Sequence, residues 1–127
     1  MRIFKTKSFV RFQRKERIEN EPLCEAVACA ERGLIDADLG HGLIKQRVAR
    51  RGEGKRGGYR TILAYRAGER SVFLFGFAKN KQENISKADE RNLKDYGATI
   101  LALDTRGIEI MIRGNELTEI NCYGKKE

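Results

Sequence analysis

Nine lysines and arginines fall between Lys45 and Arg70: Lys45, Arg47, Arg50, Arg51, Lys55, Arg56, Arg60, Arg66 and Arg70. Only Glu53 and Glu69 oppose them, so nine cations against two acids leave this segment at +7, while the whole chain nets +8. They surround the run Gly54-Lys55-Arg56-Gly57-Gly58-Tyr59-Arg60. Glycines strip such a turn of bulk and leave backbone N–H groups open to phosphate. Positive charge gathered around a glycine-rich turn points to a surface that binds a polyanion. A solvated basic hairpin would have the same composition. Arg60 is the natural phosphate clamp, because it opens a strand, follows two glycines and offers a rigid fork of donors.

Other chemistries find little support. Cys24, Cys29 and Cys122 form no CxxC pair, and His41 is the only histidine that could join them at a metal. An odd number of cysteines in a chain opening without a signal sequence suggests reduced thiols in a cytoplasm. Cys24 and Cys29 fall in an apolar helical pattern and read as core. No apolar run approaches the roughly 18 residues of a membrane span. With 127 residues and 40% hydrophobic content, residues 1–127 are expected to form one domain with one core. No cofactor is implied.

The elements that must position these side chains follow from periodicity. Met1–Lys5 reads as a strand and Lys7–Glu16 as a helix. Asn20 is placed to cap a second helix, with Pro22 in its first turn. Leu23, Ala26, Val27 and Ala30 recur at helical spacing, and Gly33 fits a stop. A loop with Gly40 and Gly42 follows. Leu43–Ala49 reads as a strand with Lys45 and Arg47 on one face, and 50–57 as a basic loop. Tyr59–Arg66 is a second strand, with Tyr59, Leu63 and Tyr65 on one parity and Arg60, Ile62, Ala64 and Arg66 on the other. Ser71–Ala78, apolar on both faces, belongs in the middle of a sheet. Ser86 caps a helix carrying Leu93, Tyr96, Ile100 and Leu103, in which Gly97 is unfavourable. Gly107–Arg113 fits a strand or a short helix, and Leu117–Cys122 an edge strand. The sum is an α+β domain: a small twisted antiparallel sheet, made of a three-stranded meander plus the N-terminal strand, with helices on one side.

Gly54-Lys55-Arg56-Gly57-Gly58-Tyr59-Arg60-Thr61, then a strand, then Phe75-Gly76-Phe77-Ala78-Lys79-Asn80, resembles the HigB-like branch of the RelE/ParE superfamily of toxins from type II toxin–antitoxin systems. The resemblance covers most of the chain, best from Leu43 to Leu103. It implies a RelE-like fold, a ribosome-dependent endoribonuclease that cuts messenger RNA, and a cognate antitoxin, usually a helix-turn-helix protein. Lys45, Arg47 and Arg60 match in kind the basic positions on the meander strands of RelE-type enzymes. Where those enzymes carry an arginine beyond the last meander strand, this chain has Lys79 and Asn80. Where they carry a base-stacking tyrosine, it has Ile85 and Ser86.

RNA cleavage by a 2′-hydroxyl needs a base for that proton, a stabiliser for the phosphate and an acid for the leaving 5′-oxygen. On the resemblance, Arg60 with Arg47 serves the phosphate, Lys79 is a candidate acid or base, and Asn80 orients a phosphate or base edge. A lysine of lowered pKa is the natural base in the absence of a placed histidine. Lys45, Arg50, Arg51, Lys55, Arg56 and Arg66 fall to RNA or ribosome binding. Tyr59 fits either stacking on a nucleotide or a place in the core. Glu83 fits an ion pair. Phe73, Phe75 and Phe77 read as core, with Phe77 nearest a groove. Two other classes share the pattern: a non-catalytic nucleic-acid-binding module, and a toxin of the same fold that poisons DNA gyrase by binding it.

Overall fold

The computed structural model describes residues 1–50, 54–78 and 84–122, with the side chains of 50 and 54–57 excepted. Lys79, Asn80, Arg51 and Glu83 lie outside the described residues. The element order is β1 (Arg2–Thr6), α1 (Lys7–Glu16), α2 (Asn20–Glu31), β2 (Ala37–Gly40), β3 (Leu43–Arg50), β4 (Gly54–Arg66), β5 (Arg70–Ala78), α3 (Lys87–Ala102), α4 (Thr105–Arg113) and β6 (Leu117–Ile120).

The strands form one sheet in the order β2-β3-β4-β5-β1-β6. The expected meander is β3-β4-β5, antiparallel throughout. β5 lies inside the sheet, as its two apolar faces require. β1 joins it in parallel, with Phe4 opposite Val72, and β6 closes the other edge antiparallel to β1. The architecture is therefore α+β as expected, but the sheet is mixed where an antiparallel one was expected, because β1 pairs with β5 in parallel.

Helices cover both faces of the sheet, not one. Phe9, Leu23, Ala26 and Val27 from α1 and α2 pack on Ile44, Val48, Leu63 and Phe73. Ile100, Leu101 and Ile108 from α3 and α4 pack with Leu43, Ile62, Ala64 and Leu74. The strand parities stated above divide between these two cores: Tyr59 and Leu63 face the first, Ile62 and Ala64 the second.

Local chemistry accounts for most boundaries. The Thr6 hydroxyl caps α1 by accepting from the Phe9 N–H at 3.2 Å, and Ser86 caps α3 by accepting from Asp89 at 3.0 Å. Asp104 does the same for α4 through Gly107 at 2.8 Å, which settles Gly107–Arg113 as a helix. Gly33 ends α2 with φ of +84°. Asn20 does not cap α2: the cap position is Glu19, and the Asn20 carboxamide oxygen accepts from Lys5 Nζ and Gln13 Nε2 instead. Gly97 earns its place in α3 by close approach, since a Cβ there would sit 3.2 Å from the Ala64 methyl.

Two further expectations are corrected. β2 lies in what reads as a loop, being too short and glycine-flanked to show alternation. Cys24 and Cys122 are not separate thiols but a disulfide, joining α2 to the residues after β6 across 98 positions. Cys29 is buried and takes no part in it.

Candidate phosphate-binding site

β3 and β4 run as a continuous ribbon through most of the segment expected as a loop, with Arg50 paired to Gly54 after a bulge. Pairing places Arg47 directly opposite Arg60, and Arg60 directly opposite Phe77. Residues opposite one another in an antiparallel pair share a face. Phe77 belongs to the core beneath α3 and α4, so Arg47 and Arg60 lie on that face too. Lys45, two residues before Arg47, shares it, in the row with Ile62 and Phe75.

α3 packs toward the opposite end of this face, where Gly97 rests against Ala64, Leu43 and Leu74. The end carrying Lys45, Arg47 and Arg60 is left with only part of a cover. Like charges directly opposite across strands are unfavourable. Arg47 is partly offset by Asp36: its backbone N–H donates to Asp36 Oδ2 at 2.6 Å, and its Nε lies 4.0 Å from the same oxygen. Gln46 holds that loop in place, accepting from the Asp36 N–H at 2.9 Å and donating to the carbonyls of Ala26 and Leu34. Lys45 Nζ donates to Asn84 Oδ1 at 3.5 Å.

Arg60 differs. Its Nη1 is buried and has no hydrogen-bond partner, the one such side-chain atom among the described residues. A guanidinium nitrogen withdrawn from water without an acceptor is costly. An incoming oxyanion would supply the missing acceptor. Arg66 and Arg70 also face each other across strands, yet there the charge is met: Arg66 pairs with Glu69 at 3.7 Å, and Arg70 donates to the Ile100 carbonyl at 2.7 Å.

Of the residues singled out from the sequence, the structure brings together Lys45, Arg47 and Arg60. Arg66 stands at the far end of β4, six residues from Arg60 or about 20 Å along the strand, and does not join them. Tyr59 is 3% exposed, its ring edge-on to Phe12 with 5.7 Å between centroids, so it is a core residue and no stacking platform. Phe77 is likewise buried at 4%, while Phe75 is the partly exposed aromatic of the row. His41 is exposed in the β2–β3 turn with φ of +56°. Among the described residues, the lysine whose pKa falls is Lys5, on β1 and outside the site. Burial, and secondarily the charge of Arg14, hold its ammonium below the ordinary range. Asp36 and Gln46 went unnoticed in the sequence, and no local signal distinguishes them there. Among the described residues, no group of three His, Cys, Asp or Glu is arranged to hold a metal ion.

The chain is an α+β protein whose sheet gathers Lys45, Arg47 and Arg60 at one end of one face. Residues 1–120 match a family model described as the RelE toxin of RelE / RelB toxin-antitoxin system, and the chain belongs to that family. It is therefore a toxin of a toxin–antitoxin system. Toxins of this family pair with antitoxins and are generally endoribonucleases. No curated protein matches the chain significantly. No helix among the described residues is long and apolar enough to cross a membrane.

Proposed function

We propose that this protein is a HigB-like endoribonuclease that cuts messenger RNA on the ribosome, and that Lys45, Arg47 and Arg60 form the phosphate-facing part of its active site. The observation that carries the reading is the buried, unpartnered Nη1 of Arg60 beside a second arginine in register. The scissile phosphate docks there, with a non-bridging oxygen accepting from Arg60. The RNA 2′-hydroxyl attacks the adjacent phosphorus as its proton passes to a base. A 2′-O–P bond forms, the P–O5′ bond breaks, and the leaving 5′-oxygen takes a proton from an acid. Arg47 and Arg60 act on the charge that builds on the equatorial oxygens, where fixed donors are most effective. Lys79 and Asn80, following β5 in the sequence, are assigned proton transfer and orientation. Arg50, Arg51, Lys55 and Arg56 are assigned to the RNA backbone. The mechanism as written needs no metal. The antitoxin is a helix-turn-helix protein that covers this basic end.

Arg60→Ala tests the reading. Cleavage of translated messenger RNA should fall by roughly 100- to 1000-fold, while the thermal transition and antitoxin binding persist. The wild-type product should end in a 2′,3′-cyclic or 3′-phosphate. Ends bearing 3′-hydroxyl and 5′-phosphate would mean that water is the nucleophile, and the mechanism would be wrong.

A further inference from the structure

The bond between Cys24 and Cys122 plays no part in the chemistry proposed above, and it fastens a lightly held part of the fold. β6 has four residues and lies at the outer edge of the sheet, paired to β1 with Ile3 opposite Ile120 and Thr6 opposite Leu117. Leu117 and Ile120 are buried, while Thr118 and Glu119 are exposed. α4, which leads into β6, buries Ile108 alone and leaves Ile110 57% exposed. An element with so few buried anchors opens at low cost, ahead of the rest of a molecule.

The disulfide counters that opening. Cys122, two residues beyond β6, is bonded to Cys24 in α2, and both pack on the core that holds Ile120. With the bond closed, β6 can leave β1 only as a short loop held at both ends, which gains little entropy. With the bond open, that restraint is gone. The sulfurs are also placed for exchange. Cys24 and Cys122 are both partly exposed, within reach of a small dissolved thiol. Accessible disulfides are the readily reduced ones. The pairing is unambiguous, because Cys29 lies about 140° around α2 from Cys24 and is only 6% exposed. The function proposed above puts the protein beside ribosomes, where thiols are kept reduced. That the pair meets both redox states rests on that reading; the effect of the bond on β6 does not.

We propose that Cys24 and Cys122 form a reversible redox site that latches the α4–β6 unit to α2. The oxidant is a low-molecular-weight disulfide of the glutathione class. One cysteine thiolate attacks it, forming a mixed disulfide and expelling one small thiolate. The second cysteine thiolate attacks the protein sulfur of that mixed disulfide and expels the other. Two S–H bonds and one S–S bond break, and one S–S and two S–H bonds form. The protein gives up two electrons and two protons, and two small thiols leave. Excess thiol runs the same steps backwards. Oxidised protein holds β6 in place. Reduced protein lets β6 open, which uncovers the outer backbone edge of β1 and the places of Leu117 and Ile120 in the two cores. β6 and β3 lie toward opposite edges of the sheet, so the latch acts on the lifetime of the toxin and not on Arg47 and Arg60. Oxidation preserves the protein, and reduction exposes it to proteases.

The test holds the full-length wild type in excess oxidised or excess reduced glutathione at neutral pH. Alkylation after denaturation should find the Cys24–Cys122 bond closed in the first buffer and all three cysteines as thiols in the second. Hydrogen exchange is then read on the native protein. Reduction should speed exchange at the amides of residues 117–120 by about 30-fold or more, the lower end of what a lost cross-link typically contributes. In the reduced protein these amides should exchange faster than those of β3–β5. They should also respond little to dilute urea, because a local opening exposes little surface. Trypsin should cut the reduced protein first after Arg106 or Arg113, both exposed on α4. Cys122→Ser should behave as reduced protein in both buffers.

Three results would overturn the proposal. A bond that stays closed in excess reduced glutathione is a permanent staple. A pair that never closes in oxidised glutathione is no redox site. A reduced protein in which β6 and the meander exchange at one common, urea-sensitive rate has no latch. The two readings fail separately, since none of these measurements uses RNA. A protein that never cuts RNA but opens β6 on reduction sinks the nuclease and leaves the latch. Arg60-dependent cleavage with a redox-insensitive β6 does the reverse.

Discussion

Tyr59 and Arg60 are neighbours in β4 and have opposite fates. Tyr59 turns into the core beneath α1 and α2, where Phe12 meets its ring and its hydroxyl reaches the Glu16 carbonyl at 3.5 Å. Arg60 turns to the other face, at the end α3 leaves partly uncovered, and its Nη1 meets no acceptor. One face is closed by two helices and a polar cluster in which Lys5, Gln13 and Asn20 satisfy one another. The other holds Arg47 opposite Arg60, and Asp36 meets Arg47 alone. The difference separates what the fold needs from what it carries: the first face is organised for stability, and the second tolerates unmet charge where a ligand can meet it.

The sharpest way to break that comparison is to truncate both neighbours. Arg60→Ala should take roughly 100- to 1000-fold from cleavage with little effect on the urea midpoint. Tyr59→Ala should do the opposite, lowering stability by about 3–5 kcal/mol while cleavage per folded molecule is kept. If Arg60→Ala unfolds the protein, or Tyr59→Ala inactivates it while folded, the division of roles fails.

Cys24→Ser should cost about 2–4 kcal/mol, because the cross-link closes a long loop. Reducing the wild type should give the same loss, and the cleavage rate of the folded fraction should be unaltered. Gly76→Ala asks whether the closed face is as tight as it looks. A Cβ at Gly76 would meet the Phe12 ring at 2.4 Å, so a loss of about 1–3 kcal/mol is expected in denaturant melts. The smallest effect concerns the far edge. The side-chain hydrogen bond from Arg2 holds Glu119 below the usual carboxylate range. Its contribution is therefore present above the unfolded-state value near about pH 4 and is lost as pH falls through the lower folded-state value. Both groups are partly exposed, so Arg2→Ala should remove under about 1 kcal/mol. The difference between variant and wild type should shrink as the melts are taken into acid.

Much of this was legible from residue order alone. The switch from helical to two-residue periodicity at Gly42 marks where β3 begins, and the double-sided apolar run Ser71–Ala78 places β5 inside the sheet. The parity of Tyr59–Arg66 anticipates the two cores, and the cap at Ser86 is a local signal read locally. What escaped is what depends on distant partners. Helices were assigned to one side because amphipathic patterns say that a face is buried, not against which side of a sheet. The disulfide joins positions 98 apart, and nothing near Cys24 or Cys122 declares the other. At the site, the charge cluster identified Lys45, Arg47 and Arg60. Composition alone could not separate them from Arg66, which the fold puts at the far end of β4 beside Glu69. Asp36 acts on Arg47 through a loop whose position is set by Gln46, a relation with no sequence signature.

The bond between Cys24 and Cys122 also changes how the molecule would answer a pull. Tension applied between Met1 and the residues beyond Cys122 passes along residues 1–24 and then across the sulfurs. The length of chain from β2 through β6 lies inside the covalent ring and bears none of that load directly. The first strand, α1 and the start of α2 would peel away, releasing about 24 residues of slack at roughly 3.3–3.6 Å each. The β3–β4–β5 meander with Arg47 and Arg60 would stay tethered as a closed loop. In a reducing buffer the same pull would unravel the meander too, and the released length would grow several-fold.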